Sequence, residues 1–151
     1  MSTLRRYIKL IIESMSHDQK IEAAGVIVVK YIDREPKILI LKTHDGTFDI
    51  TKGKIEDGES SFDAAVRETG EESGIFDLDF VWGNDSITYG KGRLYVAQTH
   101  SEPFISVNPE TNQKEHASLK FVSLDEAEAL VDEFLKPGVR WAIKKILAAS
   151  I

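Results

Sequence analysis

Three glutamates near the middle of the chain are spaced so that their carboxylates could share a metal ion. Glu68, Glu71 and Glu72 lie three and four residues apart. Residues at these spacings lie on one side of an α-helix, so we expect the three carboxylates to converge. Mg²⁺ and Mn²⁺ accept carboxylate oxygens and keep positions for water and phosphate oxygens. The spacing therefore predicts a divalent-metal site, with a solvated acidic helix face as the alternative.

The residues around these glutamates follow a fixed pattern. The stretch from Gly53 to Ile75 reads GKIEDGESSFDAAVRETGEESGI, and its specified positions include Gly53, Glu59, Arg67, Glu68, Glu71, Glu72 and Gly74. Each residue type occurs at about one position in twenty, so a chance match over this spacing is rare. The stretch resembles the Nudix box, the signature of hydrolases that cleave a nucleoside diphosphate linked to another moiety, X. Thr69 stands where that family usually has a bulky aliphatic residue.

The resemblance implies roles for the conserved positions of the box. It implies that the carboxylates hold Mg²⁺, which Mn²⁺ can replace, and that they come from Glu68, Glu71 and Glu72. It also implies that the backbone carbonyl of Gly53 adds a ligand, and that Glu59 supports the loop or contacts the metal through water. Glu71 and Glu72 are expected to be indispensable for catalysis.

Arg67 is expected to orient one of these glutamates. A plain ion pair within the box is the structural alternative, and the two interpretations are compatible, because a donor that fixes a ligand's rotamer is also structural.

Local signals predict how the box folds. Gly53 and Gly58 loosen a turn, and Ser60 and Ser61 offer N-cap hydroxyls to a helix that runs to about Ser73. Gly74 is suited to end that helix. The stripe opposite the carboxylates should pack on a sheet and consists of Phe62, Ala65, Val66 and Thr69.

The rest of the chain predicts an α/β fold. The predicted strands are 23–31, 37–42, 78–82, 86–89, 93–99 and 119–123, and the predicted helices that follow are 125–133 and 139–149. This order is what an α/β/α sandwich around a mixed sheet requires, which is also the fold that the resemblance implies over about residues 22–149.

An additional helix is predicted before this domain. An apolar stripe of helical spacing is formed by Leu4, Ile8, Ile11, Ile12 and Met15. We therefore divide the chain into an N-terminal helix with its connection, residues 1–21, and a hydrolase domain, residues 22–151. The helix is expected to pack on the edge of the domain, and a dimer contact or partner-binding helix is the alternative.

Composition restricts the classes of function. A chain of 151 residues without cysteine predicts one domain and excludes thiol catalysis. No apolar run approaches the roughly 20 residues that span a bilayer, and no signal peptide is recognisable, so the expected location is the cytoplasm, without a membrane partner. A net charge of −6 argues against an extended nucleic-acid surface. We expect a monomer or homodimer with a nucleotide-type small-molecule substrate.

Two features outside the box bear on the substrate. Glu115 and His116, shortly before Phe121, resemble the Glu-His pair and aromatic strand of asymmetrical dinucleoside tetraphosphate hydrolases, as do Ala23-Ala24-Gly25 and Thr51-Lys52-Gly53. The resemblance implies that Glu115 is a further metal ligand or the general base, and that His116 contacts phosphate. Exposed loop residues are the alternative. Phe48 departs from that subgroup, which tends to have tryptophan there.

Candidate substrate contacts come from cationic and aromatic side chains. Lys52, Lys91 and Arg93 could bind phosphate, and Tyr89 or Tyr95 could stack on a base. For Lys91 and Arg93 a solvated turn is the alternative, because glycines flank them. Other substrates stay open: ADP-ribose, FAD or NADH, oxidised nucleoside triphosphates and capped RNA. A noncatalytic nucleotide-sensing or interaction module is the alternative of another class.

Overall fold

The computed structural model describes residues 3–8, 20–105, 107–108, 113–114 and 118–149. Residues 3–8 are helical and are called α1. The strands are β1 (Ala23–Ile32), β2 (Glu35–Lys42), β3 (Phe48–Asp49), β4 (Thr51–Lys54), β5 (Ile87–Tyr89), β6 (Gly92–Gln98), β7 (Val107–Asn108), β8 (Gln113–Lys114) and β9 (Ser118–Ser123). The further helices are α2 (Ser61–Ser73), α3 (Leu124–Leu130) and α4 (Lys136–Ala148), with a 3₁₀ turn at Glu133–Leu135.

The main sheet is mixed, as predicted. Its strand order is β3-β2-β1-β6-β5, with β4 also paired to β1 and β9 to β2. β1 and β6 are parallel, whereas the other pairs within this sheet are antiparallel. β7 and β8 form a separate two-stranded ladder.

Alternating residues of β1 pack on opposite faces of the sheet. Val26 and Val28 belong to a core under α2 that includes Ala64 and Ala65. Ile27 and Val29 belong to the core on the other face, which α3 and α4 cover with residues such as Val139 and Ile146. Because successive side chains of a strand point to opposite faces, one central strand serves both cores. The predicted α/β/α arrangement is therefore confirmed.

Several predicted elements differ from those observed. Residues 78–82 contribute only one bridge, Asp79 with Gln98, and do not form the predicted strand. The predicted helix 125–133 is divided, because Val131 adopts an extended conformation between α3 and the 3₁₀ turn. Gly53 lies in β4 rather than in a turn, whereas Gly58 has the φ of +78° that a turn glycine tolerates.

The N-terminal helix is described only in part. Leu4 and Ile8 in α1 are exposed, so the predicted packing on the domain edge is not observed for residues 3–8. The remaining residues of the predicted stripe lie outside the described part of the chain. Among the helices of the described residues, none is long and apolar enough to cross a membrane.

Thr69, the atypical residue of the box, is fully buried between α2 and the sheet. Its hydroxyl lies 3.0 Å from the Thr51 hydroxyl and 2.8 Å from the Ala65 carbonyl, and the Thr51 hydroxyl donates to the Val26 carbonyl at 2.8 Å. A buried hydroxyl without a partner would cost stability, so the two threonines form a matched pair. The departure from the family pattern is thus accommodated by a side chain on β4.

Asp77 ties the segment after α2 to the end of β6. Its carboxylate accepts hydrogen bonds from the Thr99 hydroxyl, the His100 backbone N–H and the Ser101 hydroxyl at 2.5–2.9 Å. Burial would raise the pKa of Asp77, but these three donors outweigh it and hold the pKa at about 2. Asp77 therefore stabilises the fold in its charged form.

Replacing Asp77 with Asn should destabilise the protein in a pH-dependent manner. A pKa depressed in the folded state gives stability that is present above the unfolded value, near 3.8, and is lost as the pH falls towards 2. We expect a loss of about 1 kcal/mol at pH 7, because solvent screens this exposed group, and a smaller difference at pH 3. Urea unfolding of both proteins at the two pH values measures this, and a difference that grows on acidification would contradict it.

Candidate metal and nucleotide site

The ends of α2 set the position of its acidic residues. The Ser60 hydroxyl accepts a hydrogen bond from the Asp63 backbone N–H, which makes Ser60 the N-cap. Gly74 ends the helix with a φ of +71°, and its N–H donates to the Gly70 carbonyl. Both end signals read from the sequence are confirmed, so the register of the glutamates on the helix is fixed.

One guanidinium holds most of the acidic groups of the box. Arg67 binds Glu59 through two parallel contacts, Nε to Oε2 at 2.8 Å and Nη2 to Oε1 at 2.9 Å. Its Nη1 donates to Glu68 at 2.9 Å and to Glu71 at 3.2 Å, and its Nη2 donates to the Lys54 carbonyl at 2.9 Å. Hydrogen bonds to Glu59 are the main reason that the pKa of Arg67 is raised.

The pKa values of Glu59 and Glu68 are shifted in opposite directions. Hydrogen bonds from Arg67, followed by the Glu56 backbone N–H, lower the pKa of Glu59. Burial raises the pKa of Glu68 despite its contact with Arg67, and Glu71 and Glu72 add repulsion. Glu59 therefore has the contacts of a loop-supporting residue, whereas Glu68 lies where removal of water and like charges disfavour its anion. Contact of Glu59 with a metal stays a prediction.

Gly53 makes room for Glu68. A Cβ at Gly53 would lie 2.1 Å from the carboxyl carbon of Glu68, closer than any real contact. The carboxylate of Glu68 therefore lies directly against the backbone of β4, where only glycine leaves space. This close approach brings the predicted carbonyl ligand and a predicted carboxylate ligand onto the same surface.

Glu72 is held by the same strand. Its Oε1 accepts a hydrogen bond from the Lys52 backbone N–H at 2.7 Å. In the part of the chain that the structure describes, no three histidine, aspartate or glutamate side chains lie close enough together to hold a metal ion. The convergence that helical spacing predicts is observed in part: Glu68 and Glu71 both accept hydrogen bonds from Nη1 of Arg67, whereas Glu72 is held by the Lys52 backbone N–H. Their roles as metal ligands stay predictions.

Two clefts adjoin β4. The larger, of about 750 Å³, runs from Glu22 along Lys52, Gly53 and Lys54 to Gly58. The smaller, of about 360 Å³, is lined by side chains that include Lys52, Tyr89 and Lys91. Glu22, Ala23 and Lys52 line both clefts, so the two are neighbours beside the box, and we call them together the groove.

The smaller cleft has an aromatic wall formed by Tyr89 and Phe134. Their ring centroids lie 6.0 Å apart, and the Lys52 ammonium lies 6.0 Å from the centre of the Phe134 ring. Burial, followed by the negative charge of Asp49, raises the pKa of Tyr89 to about 12. Tyr89 therefore stays neutral at ordinary pH, and its ring and that of Phe134 offer an apolar surface next to a cation.

Phe134 was missed by sequence reasoning. It is 53% exposed and lies in the 3₁₀ turn that precedes α4. Its only signal in the sequence is an aromatic residue in the polar stretch VDEFLKP, and single exposed aromatic residues are too common to indicate a site.

The structure does not bring all predicted substrate contacts together. Arg93 lies in β6, not in a turn, and its Nη1 is 3.3 Å from the Ser61 hydroxyl on the α2 face of the sheet. Tyr89 pairs with Gly92, so Tyr89 and Arg93 point to opposite faces. Tyr95 is 5% exposed and its hydroxyl is 2.7 Å from Ser61, which excludes the base stacking considered for it.

Lys91 is exposed in the turn between β5 and β6, and it lines the smaller cleft. Its ammonium lies 3.7 Å from Glu22. Glu115 and His116 lie outside the described residues, so their predicted roles as metal ligand or base and as phosphate contact stay predictions.

Replacing Arg67 with Lys should destabilise the protein, because an ammonium cannot reproduce two parallel contacts to Glu59 together with those to Glu68 and Glu71. We expect a loss of about 1–2 kcal/mol in urea unfolding. The matched control is Arg140→Lys, since Arg140 forms a more exposed ion pair with Glu128 and its replacement should cost less than about 0.5 kcal/mol. Equal losses in the two variants would contradict a special role for Arg67.

Comparison with known proteins identifies the family of the chain. The family model described as the NUDIX domain matches residues 22–142. No curated protein sequence matches the chain. Among solved structures, the Ap4A hydrolase of C. elegans in a binary complex has a TM-score of 0.69 at 22% identity, over 85% of this chain and 99% of that one.

Two further solved structures have the same fold. The dihydroneopterin triphosphate pyrophosphohydrolase of E. coli has a TM-score of 0.57 at 17% identity, over 83% of this chain and 99% of that one. An ADP-ribose pyrophosphatase of Streptococcus suis has a TM-score of 0.54 at 16% identity, over 86% and 93%. At these identities the likeness is one of fold, whereas the family match extends over most of the sequence. The chain therefore belongs to the Nudix family of pyrophosphohydrolases.

Proposed function

We propose that the protein is a Mg²⁺-dependent pyrophosphohydrolase that cleaves a nucleoside diphosphate linked to another moiety, and that dinucleoside polyphosphates are its first candidate substrates. The observation that carries this proposal is the placement of Lys52 and Gly53. These neighbouring residues of β4 contact Glu72 and Glu68 of α2, and Lys52 lines both clefts while Gly53 lines the larger one. A nucleotide bound along β4 would bring its phosphates to the strand against which these carboxylates lie.

The residues of the box have the chemistry that a divalent cation requires. Family members generally use divalent metals, and Mg²⁺ prefers carboxylate and carbonyl oxygens. Glu68 is partly removed from water and lies against Gly53, in a space that a Cβ would fill. Mg²⁺, or Mn²⁺ in its place, would be held by Glu68, Glu71 and Glu72 with the Gly53 carbonyl, and Glu59 and Glu115 are further candidates. When bound, the cation supplies charge neutralisation for a polyphosphate and an activated water.

The chain's own residues have distinct tasks in this proposal. Arg67 holds Glu59, Glu68 and Glu71 on one side of the helix, which limits the movement that the carboxylates need in order to bind a cation. Lys52 and Lys91 present ammonium groups to the groove and neutralise phosphate charge there. Glu115 is the candidate base for the attacking water, and His116 is a candidate phosphate contact. Arg93 is not assigned to phosphate binding, because its side chain faces α2 and not the groove.

The aromatic wall favours a substrate with a nucleobase. Tyr89 and Phe134 offer their rings beside Lys52, and a base stacked on such a surface gains about 1–3 kcal/mol. The Ap4A hydrolase of C. elegans supports a dinucleoside polyphosphate as the first substrate to test, since it shares the fold over nearly its whole length. ADP-ribose, FAD, NADH, oxidised nucleoside triphosphates and capped RNA also carry a base and a phosphoanhydride.

A hydrolysis screen with Mg²⁺ tests the function directly. Diadenosine tetraphosphate, ADP-ribose, FAD, NADH and nucleoside triphosphates are incubated with wild type and with Glu72→Gln, and products are separated by chromatography. We expect the turnover of the variant to fall at least about a hundredfold with little change in melting temperature, since the substitution removes one of the negative charges of the box glutamates and keeps the size of the side chain.

Asp63→Asn is the matched control for this screen. It removes a carboxylate from the exposed first turn of the same helix and should keep nearly full turnover. Undiminished activity of Glu72→Gln would overturn the assignment of the site. No Mg²⁺-dependent turnover of any compound by wild type would instead favour the noncatalytic nucleotide-sensing module.

Truncation of the aromatic wall should weaken substrate binding more than chemistry. Phe134→Ala removes one stacking ring that is exposed at the groove, so KM should rise by at least about fivefold while kcat changes little. Phe104→Ala is the control, because Phe104 is similarly exposed but packs against Gly74 at the end of α2. Steady-state kinetics on the best substrate of the screen measures both variants, and equal KM values for wild type and Phe134→Ala would contradict the base-binding wall.

A further inference from the structure

Lys91 of the groove lies 3.7 Å from Glu22, whereas the ammonium of Lys52 has a shorter contact with a carboxylate. Its Nζ lies 3.1 Å from Oδ2 of Asp49, three residues earlier in the chain. The two side chains are 23% and 27% exposed, so the pair is neither sealed in the core nor freely solvated. A ligand that contacts Lys52 in the groove therefore comes close to the carboxylate of Asp49.

The orientation of Asp49 is fixed from its other oxygen. Oδ1 accepts a hydrogen bond from the Ile50 backbone N–H at 2.8 Å, which directs Oδ2 towards the ammonium. The negative charge of Asp49 also contributes to the raised pKa of Tyr89, which places this carboxylate near the aromatic wall. Asp49, Lys52, Phe134 and Tyr89 thus form a group in which an acceptor and a donor lie beside stacking rings.

The contact between Asp49 and Lys52 affects which anions can bind Lys52. A phosphate that approaches Lys52 must displace or tolerate the carboxylate of Asp49, because like charges at this distance repel. Inorganic phosphate chains bring only acceptor oxygens and leave Asp49 without its partner. A nucleotide brings phosphate oxygens for Lys52 and, in its base, N–H donors that a carboxylate accepts.

We propose that Asp49 is a specificity-determining residue, which makes the groove select phosphates that carry a nucleobase over base-free polyphosphates. When a nucleotide binds, the contact between Lys52 and Asp49 breaks. Lys52 then binds the phosphate, and Asp49 accepts hydrogen bonds from the N–H donors of the base. This inference rests on the proposed function in one respect, namely that the groove is where the substrate binds. A base-free polyphosphate would leave the half-buried carboxylate of Asp49 without a partner, and this loss would weaken its binding relative to that of a nucleotide.

The test uses binding rather than turnover, so it is separate from the hydrolysis screen. Isothermal titration calorimetry in EDTA measures the affinity of wild type and Asp49→Asn for AMP and for inorganic tripolyphosphate. We expect Asp49→Asn to bind tripolyphosphate about fivefold more tightly, because a competing charge is gone, and to bind AMP within about twofold of wild type. Glu35→Gln is the matched control, as it removes an exposed carboxylate at the start of β2 and should change neither affinity.

A second variant separates selection from a structural effect. In the Lys52→Met background, Asp49→Asn should no longer improve tripolyphosphate binding, because the cation that Asp49 occupies is absent. Unchanged tripolyphosphate affinity in Asp49→Asn, or equal tightening for AMP and tripolyphosphate, would overturn the proposal. Should Asp49→Asn fail to fold, Lys52→Met alone must weaken tripolyphosphate more than AMP for the proposal to stand. If these affinities behave as expected while the hydrolysis screen is negative, only the proposed activity fails.

Discussion

The organisation of the site depends on one guanidinium that lies between carboxylates. Arg67 contacts Glu59, Glu68, Glu71 and the Lys54 carbonyl, so a single side chain ties the loop before α2, the helix itself and β4 together. Without such a cation, the acidic residues on this side of the helix would repel each other and disfavour the close packing of α2 on the sheet. Arginine suits this position better than lysine, since its planar fork reaches several acceptors in fixed directions.

The second constraint is the alternation of β4. Gly53 faces α2, where the Glu68 carboxylate occupies the space of a missing Cβ, and Lys52 extends to the opposite face, towards Asp49 and Phe134. The backbone N–H of Lys52 still reaches Glu72. A strand can serve two faces in this manner because successive side chains alternate, so two adjacent residues connect the acidic helix with the aromatic wall. A shift of register by one residue would exchange these positions and separate the two halves of the groove.

Sequence alone predicted what depends on local signals. The caps of α2 at Ser60 and Gly74, the strands β1, β2, β6 and β9 and the helix on each face follow from hydrogen-bonding propensity and apolar periodicity. The strand predicted at 78–82 failed, because its apolar residues pack on the core without a ladder partner beyond one bridge. Phe134, the Asp49–Lys52 pair and the orientation of Arg93 depend on contacts between segments distant in sequence or on strand register, and no local pattern encodes these.

The side chains of the box have a net negative charge that a divalent cation could balance. Glu59, Glu68, Glu71 and Glu72 carry four negative charges when ionised, and Arg67 supplies one positive charge, so the group has an excess of about three negative charges before any ligand binds. Burial makes this excess costly at Glu68, whose pKa is raised, whereas Arg67 relieves it at Glu59, whose pKa is lowered. A cation that binds near Glu68 would therefore act where the uncompensated charge is least stable. The arginine keeps the carboxylates packed without neutralising all of their charge, and the remaining charge is what the proposed metal ion would bind.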